Sequence, residues 1–382
     1  LLVRAGRLFD GLGPGYQLRR NILIRDGRIE TITGWSDPPP ADAEIIDARE
    51  LVVLPGLIDT AARDGWPDGS RAGRSWLAWG VTSIRQWTDD LDATRARRER
   101  WHSGKQPGPR LHTGLALCAP DLARAGRRLA QARRFAANSI ELCGATPGDQ
   151  LAEIAAFASR AGLGVATAAP FPGALLGASE ISLTGRRELL DAYPGGFDRF
   201  AYADLTDLAG AGGLTVVSRL SPAGLPGLVQ RSESLLQAPA FSGLNTEADR
   251  YWYEESWRRQ RAIAGTALRA EQRTAVQSAF RAVGRGARLV TGSNAPDTPR
   301  GMSLHAEMRL LAESGLQPFQ VLGMASLEAA RALGLEHELG RIEPGLRADL
   351  VLVRGNPLAD VTDAASVVAS IVDGRLYRCL LY

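Results

Sequence analysis

The sequence predicts an α/β fold, a (β/α)8 barrel that carries a small β-sandwich built from both ends of the chain. Short apolar runs alternate with helix-like stretches through the middle of the chain, and hairpin signals occur near both termini. A length of 382 residues suits one large barrel with a small attached unit. We therefore expect the barrel over residues 55–340 and the β-sandwich over residues 1–54 together with 341–382.

The β-sandwich is predicted from turn signals at both ends of the chain. Asp26-Gly27 lies between two strand-like segments, residues 21–25 and 28–32. An Asp-Gly pair favours a two-residue hairpin loop, because such a loop requires positive φ angles. The C-terminal segment repeats the signal with Asp373-Gly374. Neither end has enough strands to fold alone, so we expect the two ends to share one unit.

The barrel is predicted from short strand-like runs, each followed by a helix-like stretch, as in βα units that build a parallel sheet. Residues 221–250 are rich in Pro, Ser and Gly and are longer than an ordinary βα loop. We interpret this stretch as a lid over the barrel mouth. The strand-like runs are residues 57–60, 82–85, 111–117, 139–142, 164–167, 180–183, 214–219 and 288–291.

Composition narrows the class of protein. The hydrophobic fraction of 45% and the charged fraction of 23% are typical of a soluble globular protein. No apolar run approaches the ~20 residues that span a bilayer, so we expect no membrane partner. The densest arginine runs fall in helix-like stretches, which favours a solvated helix face over a nucleic-acid patch. The cytoplasm is slightly favoured as location, although a chain that begins with Leu1 leaves open the removal of an upstream segment.

The three cysteines predict neither a disulfide framework nor a Cys-x-x-Cys metal pair. We interpret Cys118, Cys143 and Cys379 as small, buried, apolar residues. Cys143 lies two residues beyond Glu141, so both would share one face of a continuing strand.

Five segments of the chain, in this order, carry a family pattern: residues 55–60, 80–85, 291–296, 303–307 and 339–345. The first reads Pro-Gly-Leu-Ile-Asp-Thr and the last reads Leu-Gly-Arg-Ile-Glu-Pro-Gly. Together they resemble the amidohydrolase superfamily, nearest its imidazolonepropionase-like and prolidase-like members. The resemblance implies a (β/α)8 barrel whose strand ends hold one or two divalent metals, which activate a bound water for hydrolysis.

The resemblance also implies six metal-ligand positions: two histidines after strand 1, a lysine or glutamate on strand 4, histidines on strands 5 and 6, and an aspartate on strand 8. The chain has four histidines and none between Thr113 and Leu304, so no shift of the alignment supplies the missing ligands. One carboxylate does not hold a zinc ion, which needs at least three protein ligands. We therefore expect no metal and no other cofactor. The six positions hold Ala61, Arg63, Glu141, Ala168, Leu183 and Asn294.

The candidate site follows from these positions. Because metal ligands point inward, we expect Arg63 and Glu141 to meet in the barrel mouth with Asn294 close by. Either charge would be costly to bury alone, whereas a pair could orient an acidic or polar ligand. The alternative is that Arg63 points to solvent. The candidate catalytic residues are Arg63, Glu141, Asn294 and Asp64, and the candidate ligand-binding residues are Arg85, Trp66, Trp87 and Cys143.

Three functions remain open at this point. The first is a metal-independent enzyme that carries out acid/base chemistry on a small molecule at the barrel mouth. The second is a non-catalytic relative that binds a small molecule or serves as a scaffold, since a fold does not decide function. The third, an ordinary metal-dependent amidohydrolase, is disfavoured by the residues at the ligand positions. A small-molecule ligand or substrate is the expected partner, and a homo-oligomer is left open.

Overall fold

The structure is a computed structural model that describes residues 1–63, 71–118, 122–143, 148–167, 177–183, 210–231, 234–261, 273, 276–277, 279–281, 283–294 and 299–378. Its strands form two sheets. The strands are β1 (Leu2–Leu8), β2 (Gln17–Arg25), β3 (Arg28–Gly34), β4 (Ile45–Pro55), β5 (Leu57–Arg63), β6 (Val81–Thr88), β7 (Arg110–Cys118), β8 (Ala137–Cys143), β9 (Gly164–Thr167), β10 (Glu180–Leu183), β11 (Thr215–Ser218), β12 (Arg288–Thr291), β13 (Leu350–Val353), β14 (Val367–Val372) and β15 (Arg375–Arg378).

The helices flank the strands along the chain. Within the described ranges, none is both long enough and apolar enough to cross a membrane. The helices are α1 (Arg71–Ala78), α2 (Leu91–His102), α3 (Leu122–Arg134), α4 (Gly148–Arg160), α5 (Ser221–Arg231), α6 (Ser234–Gln237), α7 (Pro239–Leu244), α8 (Glu247–Arg261), α9 (Met302–Glu313), α10 (Pro318–Met324) and α11 (Leu327–Ala332), with a 3-10 helix over Val361–Ala365.

The first sheet joins the two ends of the chain. Its seven strands follow the order β15-β14-β13-β4-β1-β2-β3. Strand β4 makes the junction, because it pairs in parallel with β1 and antiparallel with β13. Apolar side chains from both ends, such as Ile22 and Leu350, share one core. The expected unit built from both chain ends is therefore present as a single mixed sheet, while the exact domain boundaries stay a prediction.

Both predicted hairpins form at their Asp-Gly pairs. Asp26 and Gly27 have φ angles of 50° and 75°, and Asp373 and Gly374 have 49° and 72°. Positive φ at both central residues is the geometry for which Asp-Gly is favoured. The turns therefore fix the registers of β2 with β3 and of β14 with β15.

The second sheet is the predicted barrel. Its eight strands run in chain order from β5 to β12, and each pairs in parallel with the next. The last strand returns to the first, since the Thr60 hydroxyl donates to the carbonyl of Thr291 at 2.8 Å. The backbone N–H of Asn294 also donates to the carbonyl of Ala61 at 2.9 Å. All eight predicted strands are present, and their carboxyl ends meet at one mouth.

The predicted lid over residues 221–250 is wrong. These residues form helices α5 to α7 and the start of α8. Their apolar side chains, such as Leu228, Leu235 and Phe241, are buried in one cluster with Trp79 and Met302. The sequence interpretation took proline as a sign of a loop. Pro239 instead lies in the first turn of its helix, where the missing N–H removes no helical hydrogen bond.

Candidate functional site

Four strand ends bring charged and polar side chains together at the barrel mouth. Arg63 ends β5 and Glu141 lies near the end of β8. The Arg63 guanidinium donates through Nη2 to Glu141 Oε2 at 2.6 Å and through Nε to Asn294 Oδ1 at 2.8 Å. Arg219, directly after β11, donates through Nη1 to the other carboxylate oxygen, Glu141 Oε1, at 2.7 Å. The expected contact between Arg63 and Glu141 is therefore present, and Arg63 does not simply point to solvent.

Arg219 is a member of the site that sequence reasoning missed. Its side chain is 5% exposed. In the part of the chain that the structure describes, its Nε and Nη2 groups are buried without a hydrogen-bond partner. The available signal was its position directly after an apolar barrel strand, where side chains can turn toward the mouth.

The two guanidinium groups keep Glu141 ionised. Burial alone would raise the pKa of the Glu141 carboxyl group, but the charges of Arg219 and Arg63 outweigh burial and hold the pKa below its ordinary value. The carboxylate is 3% exposed and both of its oxygens accept a hydrogen bond. Glu141 is therefore a fixed anion and a weak proton acceptor.

The backbone of Asn294 adopts the left-handed region, with a φ of 54°. Asparagine tolerates this conformation better than most residues that carry a side chain. The neighbouring residue Ser293 donates through its backbone N–H, at 3.0 Å, and through its hydroxyl to the buried carboxyl group of Asp59. Strand β5 thus holds the chain that follows β12, and this contact positions Asn294 beside Arg63.

Arg85 does not belong to the mouth, contrary to the prediction of a ligand-binding role. Its side chain is 2% exposed and forms an ion pair with Glu180 at 2.5 Å. Its Nε donates to the carbonyl of Thr60 at 2.7 Å, and Trp87 lies over its guanidinium at 4.3 Å from the ring centroid. Arg85 therefore crosses the barrel interior beneath the mouth and links β6 with β10.

A cavity of about 220 Å³ opens beside Arg63, at the ends of β5, β6 and β7 and against α3. Trp87, a predicted ligand-binding residue, lies in its wall, and its ring packs over Gly114, where a Cβ would come within 2.3 Å of the ring. The lining residues are Arg63, Trp87, Thr88, Asp89, Ala116, Leu117, Cys118, Arg124 and Arg128.

The remaining predicted site residues lie outside the residues that the structure describes or next to the limits of these ranges. Asp64 and Trp66 lie outside the described residues. For Cys143 only the backbone is described, and it pairs in register with Cys118. Cys118 is exposed and disulfide-bonded, which corrects the interpretation of this cysteine as a buried thiol. Cys379 lies outside the described residues.

A model of the amidohydrolase family matches residues 144–377, more than half of the chain. The chain belongs to this family. The match confirms the resemblance carried by the sequence segments, and it covers the second half of the barrel and the C-terminal strands.

Three relatives of this amidohydrolase-family chain illustrate how far the likeness extends. A 5-methylthioadenosine/S-adenosylhomocysteine deaminase of Symbiobacterium thermophilum is 40% identical over 70 residues, 15% of this chain and 16% of the relative. A 5'-deoxyadenosine deaminase of Methanobrevibacter smithii is 36% identical over 73 residues, 19% and 17% of the two chains. These matches span about a sixth of each deaminase. A Xaa-Pro dipeptidase structure with bound methionine has a TM-score of 0.73 at 20% identity, covering 99% of both chains, which shows the fold alone.

The metal-ligand positions implied by the family, as far as the structure describes them, do not present a set of metal ligands. Ala61 offers no donor atom, and the guanidinium of Arg63 lies between Glu141 and Asn294. The one carboxylate among them, Glu141, has both oxygens engaged by guanidinium groups. Leu183 contributes no donor, and Ala168 lies outside the described residues. At the described positions, a cation would therefore meet the guanidinium groups of Arg63 and Arg219 and a carboxylate that both already engage.

Within the described ranges, no group of three His, Cys, Asp or Glu side chains is placed to hold a metal ion elsewhere. His305 is buried, and its Nε2 lies 2.7 Å from the carbonyl of Trp79. Burial lowers the pKa of His305 to about 4, so the imidazole is neutral at physiological pH. This histidine ties α9 to the end of α1.

Proposed function

We propose that this amidohydrolase-family protein binds a small molecule at the barrel mouth without a resident metal and without hydrolytic turnover. The observation that carries the proposal is the guanidinium of Arg63, which joins Glu141 and Asn294 where the family places metal ligands. A salt bridge between strand ends can hold the mouth in shape, as a metal does, but it supplies no activated water. Binding without hydrolysis is the function that this arrangement supports best.

Neither Glu141 nor Glu307 supports the competing function, metal-independent acid/base catalysis. A general base needs a free lone pair and a pKa near the working pH. Glu141 has both oxygens occupied and a lowered pKa. Glu307 has a pKa raised to about 7, but it is fully buried against Ser218 and Ser221 and cannot reach a ligand.

The test combines metal analysis with turnover assays suggested by the relatives. The purified protein is incubated with Zn²⁺ or Mn²⁺, desalted, and analysed for metal by mass spectrometry. Xaa-Pro dipeptides and 5'-deoxyadenosine are then supplied as substrates. We expect no retained metal and no product, because the mouth presents guanidinium groups in place of ligands.

The control variants show whether any retained metal and any turnover come from this site or from a contaminating enzyme. Glu141→Gln changes the site, whereas Glu99→Gln changes an exposed glutamate paired with Arg95 on α2. One retained metal ion per chain, with turnover that disappears in Glu141→Gln and persists in Glu99→Gln, contradicts the proposal.

A further inference from the structure

We infer that the cavity beside Arg63 binds a small organic anion, a carboxylate or a phosphate on an apolar body. This inference rests on the proposed binding function of the mouth and adds the chemical class of the ligand. The cavity lies at the carboxyl ends of the strands, where (β/α)8 barrels place their ligands.

The charge of the cavity wall selects an anion. Arg63 reaches it from β5, while Arg124 and Arg128, four residues apart on one face of α3, reach it from the side. Asp89 is the acidic residue among the lining side chains. Arg63 and Arg219 share the single carboxylate of Glu141, so these three side chains together carry one excess positive charge. Guanidinium groups bind carboxylates and phosphates in planar, two-pronged contacts.

The position of Arg128 shows how the cationic wall is held. Its Nη2 donates to the backbone carbonyl of Asp89, and its Nη1 donates to Gln131 at 2.9 Å. The side chain therefore lies across the gap between the end of β6 and α3.

The rest of the wall selects an apolar body. Ala116 and Leu117 line the cavity beside the ring of Trp87. The volume of about 220 Å³ is below the roughly 300 Å³ at which drug-sized sites begin, which limits the ligand to a small molecule.

The experiment measures binding of three matched probes by calorimetry: benzoate, phenyl phosphate and benzamidine. They share a phenyl ring and differ in the charge and geometry of the head group. We expect at least one anion to bind and the cation benzamidine not to bind. Affinity should fall as NaCl rises, because the guanidinium groups on α3 are partly accessible to salt. The preferred anion identifies carboxylate or phosphate as the head group.

Three variants locate the binding. Arg128→Gln should weaken anion binding about tenfold, the effect of losing one charge-assisted contact. Asp89→Asn should tighten it about threefold, because it removes the opposing charge and leaves the backbone carbonyl that Arg128 binds. Arg127→Gln is the matched control, since Arg127 is exposed on the same helix and does not line the cavity. A gain of affinity in Asp89→Asn cannot come from misfolding.

The inference is overturned if neither anion binds, or if benzamidine binds as tightly as the anions. It is also overturned if Arg127→Gln and Arg128→Gln lower the anion affinity equally. Its failure is distinct from failure of the proposed function. A protein that retains metal and hydrolyses substrate but still binds benzoate overturns the proposed function alone. A metal-free, inactive protein that binds no anion overturns the anion site alone.

Discussion

Glu307 on α9 is a fully buried carboxyl group. It accepts hydrogen bonds from the backbone N–H of Ser221, at 2.7 Å, and from the hydroxyl of Ser218. Burial raises the pKa of Glu307 to about 7. In the unfolded chain a glutamate has a pKa of about 4.3, so the folded protein holds this proton more tightly. The stability of the fold therefore decreases as pH rises from about 4.3 to 7 through this group.

We predict that Glu307→Gln flattens this part of the pH profile. In the wild-type protein, ionising Glu307 costs roughly 4 kcal/mol of unfolding free energy between about pH 4.3 and 7, and a glutamine has no proton to lose. Urea unfolding at several pH values measures the change. Glu313→Gln, a partly exposed position on the same helix, is the control. An unchanged slope in Glu307→Gln contradicts the prediction.

At the mouth, the sequence could predict Arg63 and Glu141 but not Arg219. The first two follow from family positions whose side chains point inward. Arg219 is held by a carboxylate 78 residues earlier in the chain, and no local pattern shows that it turns inward. Arg85 was misassigned for the same reason, since its partner Glu180 lies 95 residues away.

At the scale of elements, alternating strands and helices were predictable because each barrel strand is a short apolar run buried between helices. Helices α5 to α8 were not, because their proline and serine content is typical of loops. Their stability comes from tertiary packing, in which Trp257 stacks near Tyr253 with ring centroids 5.8 Å apart. Such burial overrides weak local propensity.

This packing predicts that Trp257 contributes to stability rather than to ligand gating. Trp257→Ala should lower the unfolding free energy by about 3–5 kcal/mol, because it leaves a large cavity in a close-packed cluster. Trp252→Ala on the same helix should change it little, since Trp252 is 55% exposed. Denaturant unfolding compares the two. Similar small effects in both variants would restore the idea of a loosely packed lid.

For the whole molecule, the sheet from the chain ends is fastened to the barrel by a partly buried ionic network. Arg110, at the start of β7, contacts Asp373 at 2.6 Å and Asp349 at 3.3 Å. Arg347 contacts Asp373 at 2.9 Å from the other side. The network lies at the opposite end of β7 from the mouth. The hairpin turns near it were predictable from Asp-Gly, but the ionic contacts of Arg110 join residues more than 200 positions apart.

We predict that Arg110→Gln lowers the unfolding free energy by about 3 kcal/mol, because two largely buried carboxylates lose their shared cation. Arg25→Gln, which breaks an exposed pair with Glu30 on the same end sheet, should cost less than about 1 kcal/mol. Calorimetric melting measures both. Equal shifts in melting temperature for the two variants would contradict a structural role for the network.

Because Cys118 forms a disulfide, the chemical state of the binding site depends on the redox conditions around the protein. Cys118 is part of the cavity wall, so a reducing environment alters the wall. Protein produced in a reducing cytosol, or stored with a thiol reagent, would lack this disulfide. Anion affinity is therefore to be compared between oxidised and reduced preparations of the same chain.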